Sequence, residues 1–326
     1  MKNIKQWWKE KQEQKALVKL YKEERKDEKK HQSVEPSYTS EILLNAKLKK
    51  YQTREIPLHD ESVTNTLVIE ASNREINKLK RSNNHPRKKD GGEKLINHDG
   101  YLIELSNVSK DYSSGGNKIT KVLHKVDLKI KPGEFVLLYG KSGSGKSTLL
   151  NIISGLDRPT SGDVVVCNKN LPYLNSFELT KFRRDNLSFI FQQYHLLNNI
   201  TGYENVETGQ ILQKDKNHQI NLVALFKEFD LLDVMNKYPS QMSGGQQQRI
   251  SILRALAKNA DIIFADEPTG ALDKKTSTII METLKKINRE QGKTIIMVSH
   301  DPDIVQYAQR KIVLQKGKIV SDTLIE

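Results

Sequence analysis

The stretch GKSGSGKST at residues 140–148 carries the clearest chemical pattern of the sequence. It follows the apolar run EFVLLY and precedes a helical pattern, which is the strand–loop–helix context of the G-x-x-x-x-G-K-[ST] phosphate loop. Backbone N–H groups of such a loop surround phosphates, and its glycines keep side chains out of the way. We expect Lys146 to reach the β- and γ-phosphates and Ser147 to offer its hydroxyl to Mg²⁺. The predicted nucleotide-binding residues here are Gly140, Lys141, Ser142, Gly143, Ser144, Gly145, Lys146, Ser147 and Thr148.

Two adjacent carboxylates, Asp266 and Glu267, end a second apolar run, ADIIFADE. Neighbouring side chains of a strand point to opposite faces, so the two carboxylates should have different tasks. We expect Asp266 to address the Mg²⁺ shell through water. Glu267 is then the candidate to polarise, or to accept a proton from, a water that attacks the γ-phosphate.

A third stretch, SQMSGGQQQR at residues 240–249, precedes Ile250, Ile252, Leu253 and Leu256, which have helical spacing. A helix that begins with a hydroxyl and two glycines offers free backbone N–H groups and a positive dipole end, which suit an anion. The phosphate loop already encloses one side of the nucleotide. This second anion site therefore predicts that two copies of the chain face each other head to tail.

Strands that alternate with helices are predicted to position these motifs. From Tyr101 onward, short β-branched runs such as YLIEL, VDLKI and GDVVV alternate with helical patterns such as STLLNIISGL, which is typical of a doubly wound α/β fold. Before Gly100 the sequence is polar and highly charged. We therefore predict a charged N-terminal extension over residues 1–100 and a nucleotide-binding domain over residues 101–326. The segment KIVLQKGKIVSDTLIE should form a β-hairpin that turns at Lys316 and Gly317.

The extension begins with a predicted helix that contains both tryptophans, Trp7 and Trp8, among lysines. Two interpretations stay open for it. It is a solvated charged helix, or it docks on a membrane surface or a membrane partner.

Composition excludes several classes of protein. The chain has 326 residues, of which 36% are hydrophobic, and its apolar runs fall far short of the ~20 residues that a membrane-spanning helix needs. It begins without a secretory signal, so we expect a protein inside the cell. The single cysteine, Cys167, allows no intrachain disulfide and is expected to be inert. The net charge of +13 is spread without arginine patches or interleaved aromatics, so nucleic acid is not an expected partner.

Together the motifs resemble the ATP-binding cassette (ABC) family over residues 101–326. The resemblance implies an α/β P-loop NTPase of ABC type, with a mixed sheet core and a helical subdomain. In the family, the signature that MSGGQ matches closes on the γ-phosphate of the partner subunit's ATP, which implicates Ser243, Gly244, Gly245 and Gln246. The resemblance implies four further roles: adenine stacking for Tyr112, contact with Mg²⁺ and the attacking water for Gln192, a dimer-interface position for Asp273, and a γ-phosphate hydrogen bond for His300.

Within the family, FIFQQYHLL, YPSQMSGGQQQR and ADEPTGALD look most like the ATPases that serve macrolide efflux, lipoprotein release and the cell-division complex. This implies ATP and Mg²⁺ as cofactors, a homodimer of cassettes, and a separate transmembrane permease that holds the protein on the cytoplasmic face of the membrane. A non-transporting cassette that signals through a membrane partner stays open as the alternative. Only one ATP site is present, unlike in translation-factor cassettes. Lys146 and Ser243 lie 97 positions apart, too close for the inserted coiled coil of a chromosome-maintenance cassette.

Overall fold

The computed structural model describes residues 67–87, 100–114, 117–213, 219–270 and 272–325. Every described residue belongs to one compact unit, Ser62–Glu326. The helix predicted around Trp7 and Trp8 lies outside the described residues.

The strands of the described residues form two sheets. They are β1 (Leu67–Glu70), β2 (Ile103–Ser113), β3 (Lys118–Ile130), β4 (Phe135–Tyr139), β5 (Ser161–Val166), β6 (Lys169–Asn170), β7 (Leu187–Ile190), β8 (Ile262–Asp266), β9 (Thr294–Ser299), β10 (Arg310–Gln315) and β11 (Lys318–Leu324). The first sheet is antiparallel, with strand order β1-β3-β2-β5-β6. The second has the order β11-β10-β4-β9-β8-β7 and is parallel except at β11.

Helices cover the second sheet. The α-helices of the described residues are α1 (Asn73–Asn84), α2 (Lys146–Ile153), α3 (Ser176–Asn186), α4 (Gly202–Ile211), α5 (Leu222–Glu228), α6 (Gly244–Ala257) and α7 (Lys274–Gln291). Because helices and the first sheet bury the central strands on both faces, these strands are continuously apolar, as in FVLLY of β4. One core cluster joins α4, α5, α6 and α7 to the sheet, and a second joins α2 to both sheets. The predicted α/β fold with a mixed sheet and a helical layer is confirmed.

The register of the second sheet brings the motifs to one edge. Tyr139 at the end of β4 pairs with Ser299 at the end of β9, and Asp266 at the end of β8 pairs with Val298. In the neighbouring strand, Ile190 pairs with Ala265. The carboxyl ends of four parallel strands therefore lie side by side, which is where α/β sheets place their ligand sites.

Side chains accept hydrogen bonds from some of the backbone N–H groups at the start of α6. Ser243 is its N-cap, and Ser243 and Gln246 form a capping box, in which each side chain accepts a hydrogen bond from the other's backbone N–H. This capping box satisfies the backbone N–H groups of Ser243 and Gln246. Gly244 and Gly245 still lie in the first turn, where backbone N–H groups have no acceptor within the helix.

Among the residues that the structure describes, two elements precede Gly100. Strand β1 pairs with β3, with Ile69 opposite Ile119, and Ile76 and Leu79 of α1 are buried in a small cluster with Ile119. The domain boundary predicted at Gly100 assigns β1 and α1 to the extension, whereas in the structure both pack on the first sheet of the nucleotide-binding domain. Composition concealed them because only a few side chains of this segment are buried.

The predicted hairpin is present as β10 and β11, in which Gln315 pairs with Lys318. Lys316 and Gly317 have φ angles of 51° and 71°, which is the left-handed backbone that a two-residue hairpin turn requires. The thiol of Cys167 is free and partly buried, and burial raises its pKa to about 11, consistent with the expected inertness. In the described part of the chain, no helix has the length and apolar character to cross a membrane.

Candidate nucleotide site

The phosphate loop joins the end of β4 to the start of α2, and glycine is required at two of its positions. A Cβ atom at Gly140 would overlap the carbonyl oxygen of Leu314 and lie 2.9 Å from Ser144 Oγ. Gly145 is the N-cap of α2 with a φ of 102°, and a Cβ there would lie 2.9 Å from Leu123 Cδ2. The loop can therefore follow this path only with glycine at these two positions, which leaves the backbone there without side chains.

Lys146 is almost fully buried, with 6% of its surface exposed. Its Nζ donates to the carbonyl oxygens of Gly140 at 2.8 Å and Lys141 at 2.9 Å, so the ammonium is held within the loop. Burial lowers the pKa of Lys146, and the nearby carboxylates of Glu267 and Asp266 oppose that shift. The positive charge of the loop therefore lies within electrostatic reach of both acidic residues.

Ser147 and Asp266 form the second contact of the site. The hydroxyl of Ser147 donates to Asp266 Oδ1 at 3.1 Å. Burial raises the pKa of Asp266, with Glu267 adding to the shift, while Ser147 and Lys146 lower it. Hydroxyl and carboxylate oxygens are hard donors that suit Mg²⁺. In the described ranges no cluster of three His, Cys, Asp or Glu side chains could hold a metal, so a cation at this pair would need phosphate or water oxygens as well.

Glu267 follows the strand and does not belong to it. Strand β8 ends at Asp266, and Glu267 has a φ of 45°, in the left-handed region that non-glycine residues rarely adopt. The alternation of side chains along a strand, on which the sequence argument relied, therefore does not orient Glu267. The left-handed backbone does so instead, and such strain is typical of functional positions. His300, which follows β9, lies with its Nδ1 2.8 Å from Glu267 Oε1.

Gln192, Glu267 and His300 line one cleft of about 810 Å³. Gln192 follows β7 by two residues and is exposed, as is His300. The structure thus brings together, in one cleft at the strand ends, the three side chains for which the sequence analysis predicted catalytic roles.

Two predicted interface positions lie at helix starts. Ser243 and Gly244 are exposed at the beginning of α6. Asp273 is the N-cap of α7 and accepts hydrogen bonds from the backbone N–H and the hydroxyl of Thr276, which lower its pKa. These residues are available on the surface, where a second copy of the chain could contact them.

Tyr112 lies near the end of β2 with its hydroxyl donating to Asp157 Oδ2 at 2.7 Å. The same carboxylate accepts from Lys110 Nζ at 2.7 Å, although the Lys110 side chain is 1% exposed. Burial and Asp157 raise the pKa of Tyr112, and an interaction with Thr148 of α2 opposes this shift. The ring is thus fixed beside the helix that follows the phosphate loop.

The sequence analysis missed Gln248, which belongs to the same helix as the MSGGQ motif and is 1% exposed. Its Nε2 donates to the carbonyl oxygens of Phe191 at 3.3 Å and Pro268 at 2.9 Å, the direct neighbours of Gln192 and Glu267. Arg254 of α6 also donates to the carbonyl oxygen of His195 at 2.7 Å. The signal was a polar residue one turn after the helix start, facing the apolar side of α6, and the glutamine run concealed it.

Comparison with known proteins agrees with this geometry. The sequence profile of the ABC transporter family matches residues 123–270. An uncharacterized ABC transporter ATP-binding protein of Methanocaldococcus jannaschii is 45% identical over 229 residues, which cover 67% of this chain and 95% of that protein. The macrolide export ATP-binding/permease protein MacB of Haemophilus ducreyi is 46% identical over 226 residues, which cover 68% of this chain and 32% of MacB.

A solved dimeric structure of the ATP-binding cassette MJ0796, in a post-hydrolysis state with ADP and Pi, superimposes with a TM-score of 0.64 at 44% identity. The match covers 69% of this chain and 99% of that one. Fold and site thus define a P-loop ATPase of the cassette type. The chain belongs to the ABC transporter family and carries its ATP-binding domain. The chain spans about half the length of a putative ABC transporter ATP-binding protein of Mycoplasma pneumoniae and about a third of the length of MacB.

Proposed function

We propose that this chain is a nucleotide-binding subunit that hydrolyses ATP to drive a separate membrane permease, through head-to-tail dimerisation of two cassettes. The observation that carries the proposal is the cleft that Gln192, Glu267 and His300 share at the strand ends. Ser299, which also lines this cleft, pairs with Tyr139, the residue that precedes the phosphate loop.

In this proposal, the backbone of the phosphate loop and Lys146 bind the ATP phosphates. Ser147 and Asp266 would hold Mg²⁺ together with phosphate oxygens, and the cation would neutralise charge that develops on the phosphates. Gln192 would contact the same cation and orient the attacking water. Glu267 would accept a proton from that water, and His300, which already bonds the Glu267 carboxylate, would fix its direction and reach the γ-phosphate.

Dimerisation would complete each site. The first turn of α6 exposes Ser243 and Gly244. The backbone N–H groups of Gly244 and Gly245 have no acceptor within the helix and suit a phosphate of the partner's ATP. Gly245 and Gln246 complete this turn, and Asp273 would contact the partner across the interface. The dimeric MJ0796 cassette, at 44% identity, supports this arrangement.

The permease and the direction of transport rest on relatives. MacB is named for both ATP-binding and permease parts and for macrolide export, and this chain matches only a third of it. A relative from Clostridium perfringens, cbiO1, is described as part of an ABC transporter complex and is 26% identical with a TM-score of 0.58. By analogy with the relative named only as an ATP-binding protein and with the cbiO1 complex, we propose export through a permease in another chain, with the cassette held at the cytoplasmic face of the membrane.

The test is ATP hydrolysis by membranes that contain this chain and the permease with which it co-purifies. Transport should require ATP and fail with Lys146→Ala, and a solute that accumulates in inverted vesicles would identify an exporter. Hydrolysis without movement of any solute would favour the signalling alternative. A purified wild-type chain that binds no ATP would contradict the proposal altogether.

A further inference from the structure

Helix α1 precedes the region that the family profile matches, yet it contacts the segment that carries Tyr112. The helix begins with a capping box between Ser72 and Glu75, and its buried Ile76 and Leu79 anchor it on the first sheet. Its last turn lies against the junction of β2 and β5. There Ser82 Oγ donates to the carbonyl oxygen of Thr160 at 2.8 Å.

Asn83 in this last turn bonds the backbone of Asp111, the residue before Tyr112. Asn83 Nδ2 donates to the carbonyl oxygen of Asp111 at 2.9 Å. Thr160 Oγ1 donates to Asn83 Oδ1 at 3.0 Å and accepts from the Asp111 N–H at 3.0 Å. Both backbone polar groups of Asp111 are therefore held by side chains.

This support is needed because the sheet is irregular at that point. The pairing of β2 with β3 shifts register at Lys110 and Asp111, and the pairing of β2 with β5 ends at Ser109. Such bulges re-aim side chains and occur beside functional sites. Regular strand pairing with β5 thus does not extend to Asp111, and Asn83 with Thr160 supplies the bonds in its place.

The side chain of Tyr112 is fixed from the other side. Asp157 accepts both its hydroxyl and the ammonium of Lys110, whose Nζ lies 4.6 Å from the centre of the Tyr112 ring. The Tyr112 side chain is thus bonded at its hydroxyl by Asp157, and the backbone of the residue before it is bonded by α1.

We propose that Asn83 is a positioning residue for the nucleotide base, through which α1 sets the orientation of the Tyr112 ring. The inference rests on the proposed binding of ATP and on the adenine stacking that the family resemblance implies for Tyr112. Asn83 touches no nucleotide itself. Its loss should weaken the contribution of the base to binding while leaving the phosphate loop unchanged.

The test compares Asn83→Leu, which removes both bonds at similar volume, with Asn83→Asp, which retains an acceptor for Thr160 but loses the donor to Asp111. Asn77→Leu, on the exposed side of the same helix, is the matched control. Calorimetric titration of the full chain should give an ATP Kd raised about three- to tenfold in Asn83→Leu, a part of what a base–aromatic stack contributes. The Kd of inorganic triphosphate, which lacks a base, should stay at the wild-type value, and kcat at saturating ATP should change less than about twofold.

A Tyr112→Ala background decides whether Asn83 acts through the ring, because the Asn83→Leu effect on ATP should vanish there. An unchanged ATP Kd in folded Asn83→Leu and Asn83→Asp chains would overturn the proposal. Equal weakening of ATP and triphosphate would also overturn it, since that result shows a general structural role. If Tyr112→Ala binds ATP as tightly as wild type, the positioning role fails while the ATPase proposal stands. If the wild-type chain binds no ATP, both fail.

Discussion

His300 and Glu267 are hydrogen-bonded side chain to side chain across the ends of two neighbouring strands, with Nδ1 2.8 Å from Oε1. Neither residue belongs to a strand, and Glu267 is held in a left-handed conformation in which its N–H donates to the Val298 carbonyl at 3.1 Å. The backbone of Glu267 and the imidazole of His300 therefore both hold the carboxylate in place.

Glu267→Gln should abolish ATP hydrolysis while preserving ATP binding. The amide still bonds His300 but cannot accept a proton from water, so we expect kcat to fall at least about 100-fold. With hydrolysis blocked, ATP should hold two copies together, and size-exclusion chromatography with ATP should show a stable dimer. The exposed Glu282→Gln on α7 is the matched control and should hydrolyse ATP normally. A Glu267→Gln chain that binds ATP and stays monomeric would contradict the head-to-tail arrangement.

Ser243→Arg and Lys146→Ala should complement each other. Lys146 serves the chain's own ATP, whereas Ser243 serves the partner's, so each variant alone has no intact site. A mixed dimer has one site damaged twice and one undamaged site. An equal mixture should therefore recover about a quarter of the wild-type ATPase rate, provided that subunits pair at random. Activity no greater than that of the separate variants would show that Ser243 and Lys146 serve the same chain's nucleotide.

Gln248→Met should lower both stability and turnover. Methionine fills the same volume but cannot donate to the carbonyl groups of Phe191, which is partly buried, and Pro268, which is buried. We expect the free energy of unfolding to fall by about 1–3 kcal/mol. The rate should fall more than ATP affinity does, because the loops of Gln192 and Glu267 lose a shared anchor. Urea titration and steady-state kinetics measure the two effects, with the exposed Gln291→Met as control. An unchanged kcat would show that Gln248 contributes to stability only and not to the positions of Gln192 and Glu267.

The sequence was sufficient for those parts of the site in which chemistry fixes the residue types. A loop that wraps phosphate requires the spacing of Gly140, Gly145 and Lys146. The change from apolar residues to carboxylates at Asp266 predicts where the strand ends. Tertiary geometry, in contrast, decided the direction of Glu267, because a left-handed residue has no sequence pattern unless it is glycine. Lys110 shows the same limit, since a lysine at 1% exposure becomes acceptable only when Asp157 lies opposite it in the folded chain.

Helix α1 could have been predicted and was not. Ser72 and Glu75 have capping-box spacing, and Ile76 and Leu79 follow at helical spacing. The surrounding lysines and asparagines gave the segment the composition of an unstructured extension. Its role beside Tyr112 lay beyond any local pattern, because it depends on contacts with Asp111 and Thr160 in distant strands.

Lys258, the C-cap of α6, should make stability depend on pH. Its ammonium donates to the carbonyl oxygens of Arg183 and Leu187, and burial lowers its pKa from 10.5 to about 8. Between about pH 8 and 10.5 the unfolded chain binds the proton that the folded chain has released, so this residue raises the free energy of unfolding as pH rises. Below about pH 8 Lys258 is protonated in both states, and the unfavourable contribution of its buried ammonium to the free energy of unfolding is at its full value.

Urea unfolding of wild type and Lys258→Met at pH 7 and pH 9.5 isolates this effect, because all other groups are common to both chains. From pH 7 to pH 9.5, the free energy of unfolding of the wild type should increase relative to that of Lys258→Met. Lys227→Met, at an exposed position of α5, provides the control and should show no such trend. A Lys258→Met difference that is the same at both pH values would show that the side chain keeps its proton in the fold.

The placement of β4 between β9 and β10 has a consequence for synthesis on the ribosome. The strand that leads into the phosphate loop is made early, but both of its hydrogen-bonded neighbours, Thr294–Ser299 and Arg310–Gln315, are made much later. The emerging chain must therefore carry β4 without partners while the helical layer is translated, and such non-local pairing is slow and leaves apolar strands open to aggregation. Capture of ATP becomes a late event of biogenesis, and a nascent chain that holds nucleotide has already assembled its central sheet.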